Sequence, residues 1–265
     1  MINKYGKVFN NHSEVALFLK TNKSDIIQIK KATLKFTDVL GITPTTKVVD
    51  KSLVIGNSDV IQRTVVANCY GYMDNHDDVH ITGIFTKSIK ENQKNILHLH
   101  DHIFELSAKV GVFKKIYENL VDWTKLGYNK AGQTMCLLGD SEIRKALNPC
   151  IFDQYDNNEI NQHSVGMLYV TMYLCINDPL DLEHYDNWNK YFPFVGNGPE
   201  AINQGYFWAV TEAKLKEISA VIQGSNDLTP TLAPQDTIQP PISTVSNKIE
   251  PSLDTHSPSY NPNLF

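Results

Sequence analysis

The chain is short of cysteine: Cys69, Cys136, Cys150 and Cys175 are its four, spread over 265 residues with no C-x-x-C pair. That is too few for a disulfide scaffold in a chain of this length, so a reducing compartment is the default expectation. Long apolar runs are missing too. No stretch approaches the roughly 18 residues of a membrane span, and the first residues, MINKYGKVFNNHSEV, lack the apolar core of a signal peptide. The expectation is a protein that is soluble and intracellular at synthesis, with no membrane partner. The charge is not gathered by sign either: the net value is −5, with Lys and Arg scattered along the chain, so a nucleic-acid partner is not expected. There is no H-E-x-x-H motif, which weakens any metal-dependent hydrolase, and no cofactor is expected.

What is present is enough apolar residue, 42%, to bury a substantial core. The pattern reads as mainly β with some helix, an α+β class. SEVALFLK suits a short helix, and DIIQIKKATLKFTDV reads as extended with helical ambiguity. From Lys51 onward, SLVIGN and RTVVANCYGYM read as strands, followed by the turn DNHDD and the strand VHITG. IFTKSIKENQ fits a helix, and KVGVFKKIYEN and QTMCLLG continue a strand meander. SEIRKALNPC reads as a helix opened by Ser141 and closed by Pro149. HSVGMLYVTMYLCI has the β-branched and aromatic content of a central strand, LEHYDNWNKYF reads as a helix, and EAKLKEISAVI reads as a strand. Seven of the twelve prolines lie after Gly224 among Ser, Thr and Asn. The partition expected is an N-terminal extension over 1–50, a main domain over 51–223, and a Pro-rich, disordered tail over 224–265.

Three features carry candidate chemistry. In ILHLHDH, His98, His100 and His102 recur at every second position, which on one continuous strand would put all three on one face. As zinc ligands, His98 and His100 would need completion by His80, His76 or Asp101, and no supporting motif accompanies them. Ser164, in HSVGM, stands at the mouth of an otherwise apolar strand; a serine is a weak nucleophile unless a positioned base takes its proton. Its ordinary fate is a backbone hydrogen bond at the strand entrance. Glu217, in KLKEISAV, would share a strand face with Leu215, Ser219 and Val221. It either orients a histidine or pairs with Lys214 or Lys216, the more common fate of such a residue.

Four blocks in order over residues 64–230 give a resemblance. GYMDNHDDVHITGIFTKSI, then ILHLHDH followed by AKVG, then HSVGM, then KLKEISAVIQGSNDLTP are together similar to the prohead maturation serine proteases of tailed bacteriophages, distant relatives of the herpesvirus capsid-assembly protease. Met167 departs from the aromatic residue more usual in that family, and His163 directly precedes the serine. The resemblance implies a closed β-barrel with flanking helices and an endopeptidase with His100 as base, Ser164 as nucleophile and Glu217 as third member. The herpesvirus relatives use a second histidine in that third place, and the choice among His98, His100 and His102 rests on register. It further implies scaffold protein, the N-terminal segment of the major capsid protein and the enzyme itself as substrates. The setting would be the host cytoplasm, inside the assembling prohead. Self-association is left open. An inactive capsid-assembly or scaffolding protein with the same fold is the alternative, and a metalloprotein built on the histidine cluster is the other.

Overall fold

The computed structural model describes residues 2–32 and 59–232. The strand expected at SLVIGN, the second half of the DIIQIKKATLKFTDV segment and most of the Pro-rich tail lie outside them. The chain opens with a hairpin of β1 (Ile2–Lys4) and β2 (Lys7–Phe9), turned by Tyr5 and Gly6 at positive φ. Two helices follow, α1 (His12–Thr21) and α2 (Lys23–Ala32). Asn11 caps α1 by accepting a 2.9 Å hydrogen bond from the Glu14 N–H, and Val15 and Leu19, one turn apart, are fully buried. α2 is therefore helical where the sequence left extended and helical readings open. Phe9, Val15, Leu19 and Ile26 belong to the same apolar core as the sheet, so this N-terminal part is built into the body of the protein.

The sheet holds β3 (Val60–Cys69), β4 (Asp78–His80), β5 (Leu97–His100), β6 (Lys109–Asp122), β7 (Gln133–Arg144), β8 (His163–Ile176), β9 (Tyr206–Ala220) and β10 (Thr231–Leu232). Helices α3 (Thr86–Asn92), α4 (Pro149–Asp156), α5 (Leu182–Tyr191) and α6 (Gly198–Gln204) connect them. The order is β10-β3-β7-β6-β5-β9-β4, with β8 on the other edge of β9. β4 and β5 run parallel to β9, and the remaining pairs are antiparallel. The class is α+β with a mixed eight-stranded sheet, and this corrects the closed barrel: the sheet is open. Closure would need β3 to pair with β8, and residues 226–232 occupy that gap. On one side β10 pairs with β3, Thr231 opposite Val65. On the other, the His163 N–H donates to the Thr229 carbonyl (3.1 Å) and Thr229 Oγ1 donates to the His163 carbonyl (2.6 Å). The two edges are joined through an irregular segment instead of a ladder, so the start of the expected tail is part of the fold.

The helix expected over 141–149 is also corrected. Ser141 to Arg144 complete β7, paired with β3 and β6. Pro149 opens α4 as its first residue, behind an Asn148 cap that accepts from the Ile151 N–H at 3.2 Å. Proline fits there because its missing N–H has no helical partner to lose. Among the described residues no helix is long and apolar enough to cross a membrane.

Candidate functional site

The three histidines of ILHLHDH do not share a face. β5 ends at His100, and the next two residues, Asp101 (φ 51°) and His102 (φ 58°), are both left-handed. Asp and His are among the non-glycine residues that tolerate this region, at a cost of about 1–2 kcal/mol each. The double turn carries His102 around to the opposite side of the sheet. His98 pairs with Ile218 and His100 with Ala220, while Leu99 pairs with Ser219. Ile218 and Ala220 lie in the apolar core, so His98 and His100 are directed to that side and Ser219 away from it.

Ser164 faces away from the core as well. It stands directly opposite Ser219 in the β8–β9 ladder, whereas its neighbours His163 and Val165 stand opposite Ala220 and Ile218. His100 and Ser164 are thus on opposite faces of the sheet with β9 between them, and the structure does not bring this predicted pair together. The His100 ring instead meets the adjacent Asp101, with Nδ1 3.0 Å from Oδ2.

Glu217 reaches the Ser164 face by alternation, two residues before Ser219 on β9 and opposite Gly166, and a bulge begins just beyond it. Gly166 is opposite Glu217 and Met167 is opposite Leu215, so Lys216 is an extra residue on β9. The bulge breaks strict alternation: Leu215 goes into the core, and Glu217 turns outward with Ser219. There the carboxylate is fully buried. The Nδ1–H of His102 donates to its Oε1 at 2.6 Å, and Ser219 Oγ donates to its Oε2 at 2.5 Å. Ser219 Oγ also accepts the His102 backbone N–H at 3.1 Å. Glu217 therefore meets a histidine, as one reading of the sequence had it, and that histidine is His102. Neither Lys214 nor Lys216 forms an ion pair with it. Gly166 is required on the other side: a Cβ placed there would lie 2.2 Å from Glu217 Oε1. The S-x-G pattern of β8 thus has a local cause, since the carboxylate lies flat against bare backbone two residues beyond Ser164.

The His102–Glu217 bond fixes the tautomer. With Nδ1 protonated towards the carboxylate, Nε2 is the acceptor of the ring, the arrangement of a general base. Cβ atoms of directly opposed residues in an antiparallel pair are about 5 Å apart. Ser164 is thus one residue from the Ser219–Glu217–His102 group, on the same face. Ser164 is only 8% exposed and lines a recess of about 20 Å³, room for about one water, shared with Asn68, Asp74, His76, His80 and Asn226.

The other histidines of this region are structural. On the core side a directional chain runs from Ser141 Oγ to His98 Nδ1 (2.7 Å), His98 Nε2 to Tyr155 Oη (3.2 Å), Tyr155 Oη to His163 Nε2 (2.9 Å) and His163 Nδ1 to the Thr229 carbonyl (3.0 Å). Both rings use both nitrogens and are neutral, and burial drives the His163 pKa down to about 4 and His98 well below its ordinary value. Ser141 is completely buried, so this second serine–histidine contact has no route to a substrate. His80 is held likewise, with Nδ1 accepting from Asn68 Nδ2 (2.6 Å) and Nε2–H donating to Tyr169 Oη (3.1 Å); burial lowers its pKa to about 4. Tyr169 donates in turn to Asp78 (2.8 Å), which forms a buried ion pair with Lys30 of α2. Among the described residues no group of three or more His, Cys, Asp or Glu is arranged to hold a metal ion. Sequence reasoning had His102 within its cluster and passed over Ser219; the Glu-x-Ser spacing and the Asp-His pair suited to left-handed backbone were the available signals. No protein-family model matches the chain, and neither does any curated protein or solved structure.

Proposed function

We propose that the chain is a serine endopeptidase in which Ser164 is the nucleophile, His102 the general base and Glu217 the group that orients the base. The observation that supports this most is the bond from His102 Nδ1 to the buried Glu217 carboxylate, on the sheet face that Ser164 shares. In the proposed reaction Ser164 Oγ attacks the scissile carbonyl while His102 Nε2 takes its proton. The imidazolium, stabilised by Glu217, then returns that proton to the leaving amine, and water resolves the acyl-enzyme by the same route. The four sequence blocks support a role in tailed-phage prohead maturation, with scaffold protein, the N-terminal segment of the major capsid protein and the protease itself as substrates. His100, expected as base, is replaced in this reading by the residue two positions later.

The test needs no external substrate. Purified wild type and Ser164→Ala are incubated side by side and read by intact mass. Loss of C-terminal segments from wild type alone is the expected result, the Pro-rich sequence after Leu232 being the target. Identical masses in the two samples, or identical truncation, would count against the proposal.

A further inference from the structure

We propose that Ser219 is a positioning residue of this site, setting both the Glu217 carboxylate and the backbone turn that presents His102. This rests on the Ser164–His102–Glu217 reading above and names a residue that the sequence left unassigned. A hydroxyl has one donor and two acceptor sites. Ser219 spends its donor on Glu217 Oε2 (2.5 Å) and one acceptor site on the His102 N–H (3.1 Å). Satisfying a buried hydroxyl would take only one of these bonds. The pair of bonds ties the two ends of the His102–Glu217 interaction to one atom.

The consequence is geometric. Asp101 and His102 are in left-handed backbone, a conformation that persists only where surrounding contacts impose it. Backbone bonds brace the turn on either side of His102, from the Asp101 N–H to the Ala220 carbonyl (2.9 Å) and from the Ile103 N–H to the His100 carbonyl (3.2 Å), and the His102 N–H itself donates to Ser219, so the hydroxyl that helps hold the turn also leaves Glu217 Oε1 aimed at His102 Nδ1. Ser219 is fully buried and directly opposite Ser164, which keeps the anchor on the ladder pair that carries the nucleophile.

The carboxylate bonded to the His102 ring is Glu217 on β9, and Asp101, its neighbour in the turn, pairs with His100 Nδ1 at 3.0 Å. A Ser219→Ala change leaves all of them in place. Without its second hydrogen bond the Glu217 anion is less stabilised, and its charge concentrates towards the imidazole.

The probe is diisopropyl fluorophosphate: Ser164 Oγ attacks phosphorus, fluoride leaves, and His102 takes the hydroxyl proton. Labelling is followed by intact mass from pH 5 to 9, with the folded fraction of each protein measured by near-ultraviolet circular dichroism. Ser219→Ala is expected to label about 10- to 100-fold more slowly per folded molecule, the size of a lost hydrogen bond to a charged group. Ser219→Thr, which keeps the hydroxyl, is expected to restore most of the rate. An unchanged rate in folded Ser219→Ala overturns the proposal. Should Ser219→Ala not fold, Ser219→Cys, a weak donor of similar size, is compared with Ser219→Thr, and equal rates for these two overturn it as well. Absence of labelling in wild type, or equal labelling in Ser164→Ala, refutes the hydrolase reading itself.

Discussion

The step of two positions from His100 to His102 decides which ring meets Glu217. His100 is on the core side of the sheet beside Ala220, whereas His102 reaches the Ser164 face and binds Glu217. His102→Ala is expected to reduce fluorophosphate labelling of Ser164 by about 1000-fold or more, the scale of removing a triad base. His100→Ala is expected to label at close to the wild-type rate, and the reverse ranking would reassign the base. Gly166 offers an independent check. An alanine Cβ would sit 2.2 Å from Glu217 Oε1, so the carboxylate has to leave His102 or the strand has to shift. Gly166→Ala should slow labelling as much as Glu217→Ala does, with a loss of stability of about 1–3 kcal/mol in urea unfolding. A silent Gly166→Ala variant would show that Glu217 is not held as described.

At the scale of elements, the gap between β3 and β8 shows how this sheet handles two edges that approach without pairing. Residues 226–232 fill it: β10 pairs with β3, Thr229 bonds His163, and Asn226 Nδ2 donates to the Cys69 carbonyl at 2.8 Å. Leu228 and Leu232 add apolar burial against the β3–β7 side of the sheet. A chain ending at residue 223 should therefore lose several kcal/mol against one ending at residue 232, or fail to fold. Equal midpoints for the two truncations would contradict the role given to this segment. The N-terminal helices behave similarly. They bury Val15, Leu19 and Ile26 in the main core and tie α1 to α5 through Lys20 and Asp181 (3.0 Å).

Across the whole molecule, buried neutral histidines make the fold sensitive to acid. His80 and His163 titrate at about 4 in the folded protein, because burial disfavours the imidazolium. In the unfolded chain they titrate near 6.5, so between these values the unfolded state binds more protons and stability rises with pH. Their contribution is complete above about pH 6.5 and is lost as pH falls towards 4, on the order of 3 kcal/mol for each ring. Urea unfolding at pH 7.5 and at pH 5.0 should give a clearly lower stability at the acidic value, and replacing His163 by Asn should reduce the difference, His80 supplying what remains. An equal stability at both pH values would show that these rings are not held neutral.

Much of the element pattern was legible because local chemistry dictates it: the β-branched run of β8, the short helix α1, and the histidine strand itself. The α+β class was likewise readable from residue type and spacing, as was a histidine as one of the two fates open to Glu217. The errors share one cause. Strict alternation put His98, His100 and His102 on one face and Leu215 with Glu217 on another, and each inference failed where the backbone departs from the ideal strand, at the left-handed Asp101–His102 turn and at the Lys216 bulge. Pro149 was read as a stop because proline suits either side of a helix start, and only the strand partners of Ser141 resolved it. The open sheet followed from contacts between residues 226–232 and strands far away in sequence, which no local pattern encodes. The amino-acid sequence by itself determined which residues could do chemistry and which segments could be strands or helices, since those are properties of side chains and short windows. Which histidine meets Glu217, and on which face of the sheet Ser164 stands, were decided only in the tertiary structure, because bulges, left-handed turns and ladder register exist only once distant strands have paired.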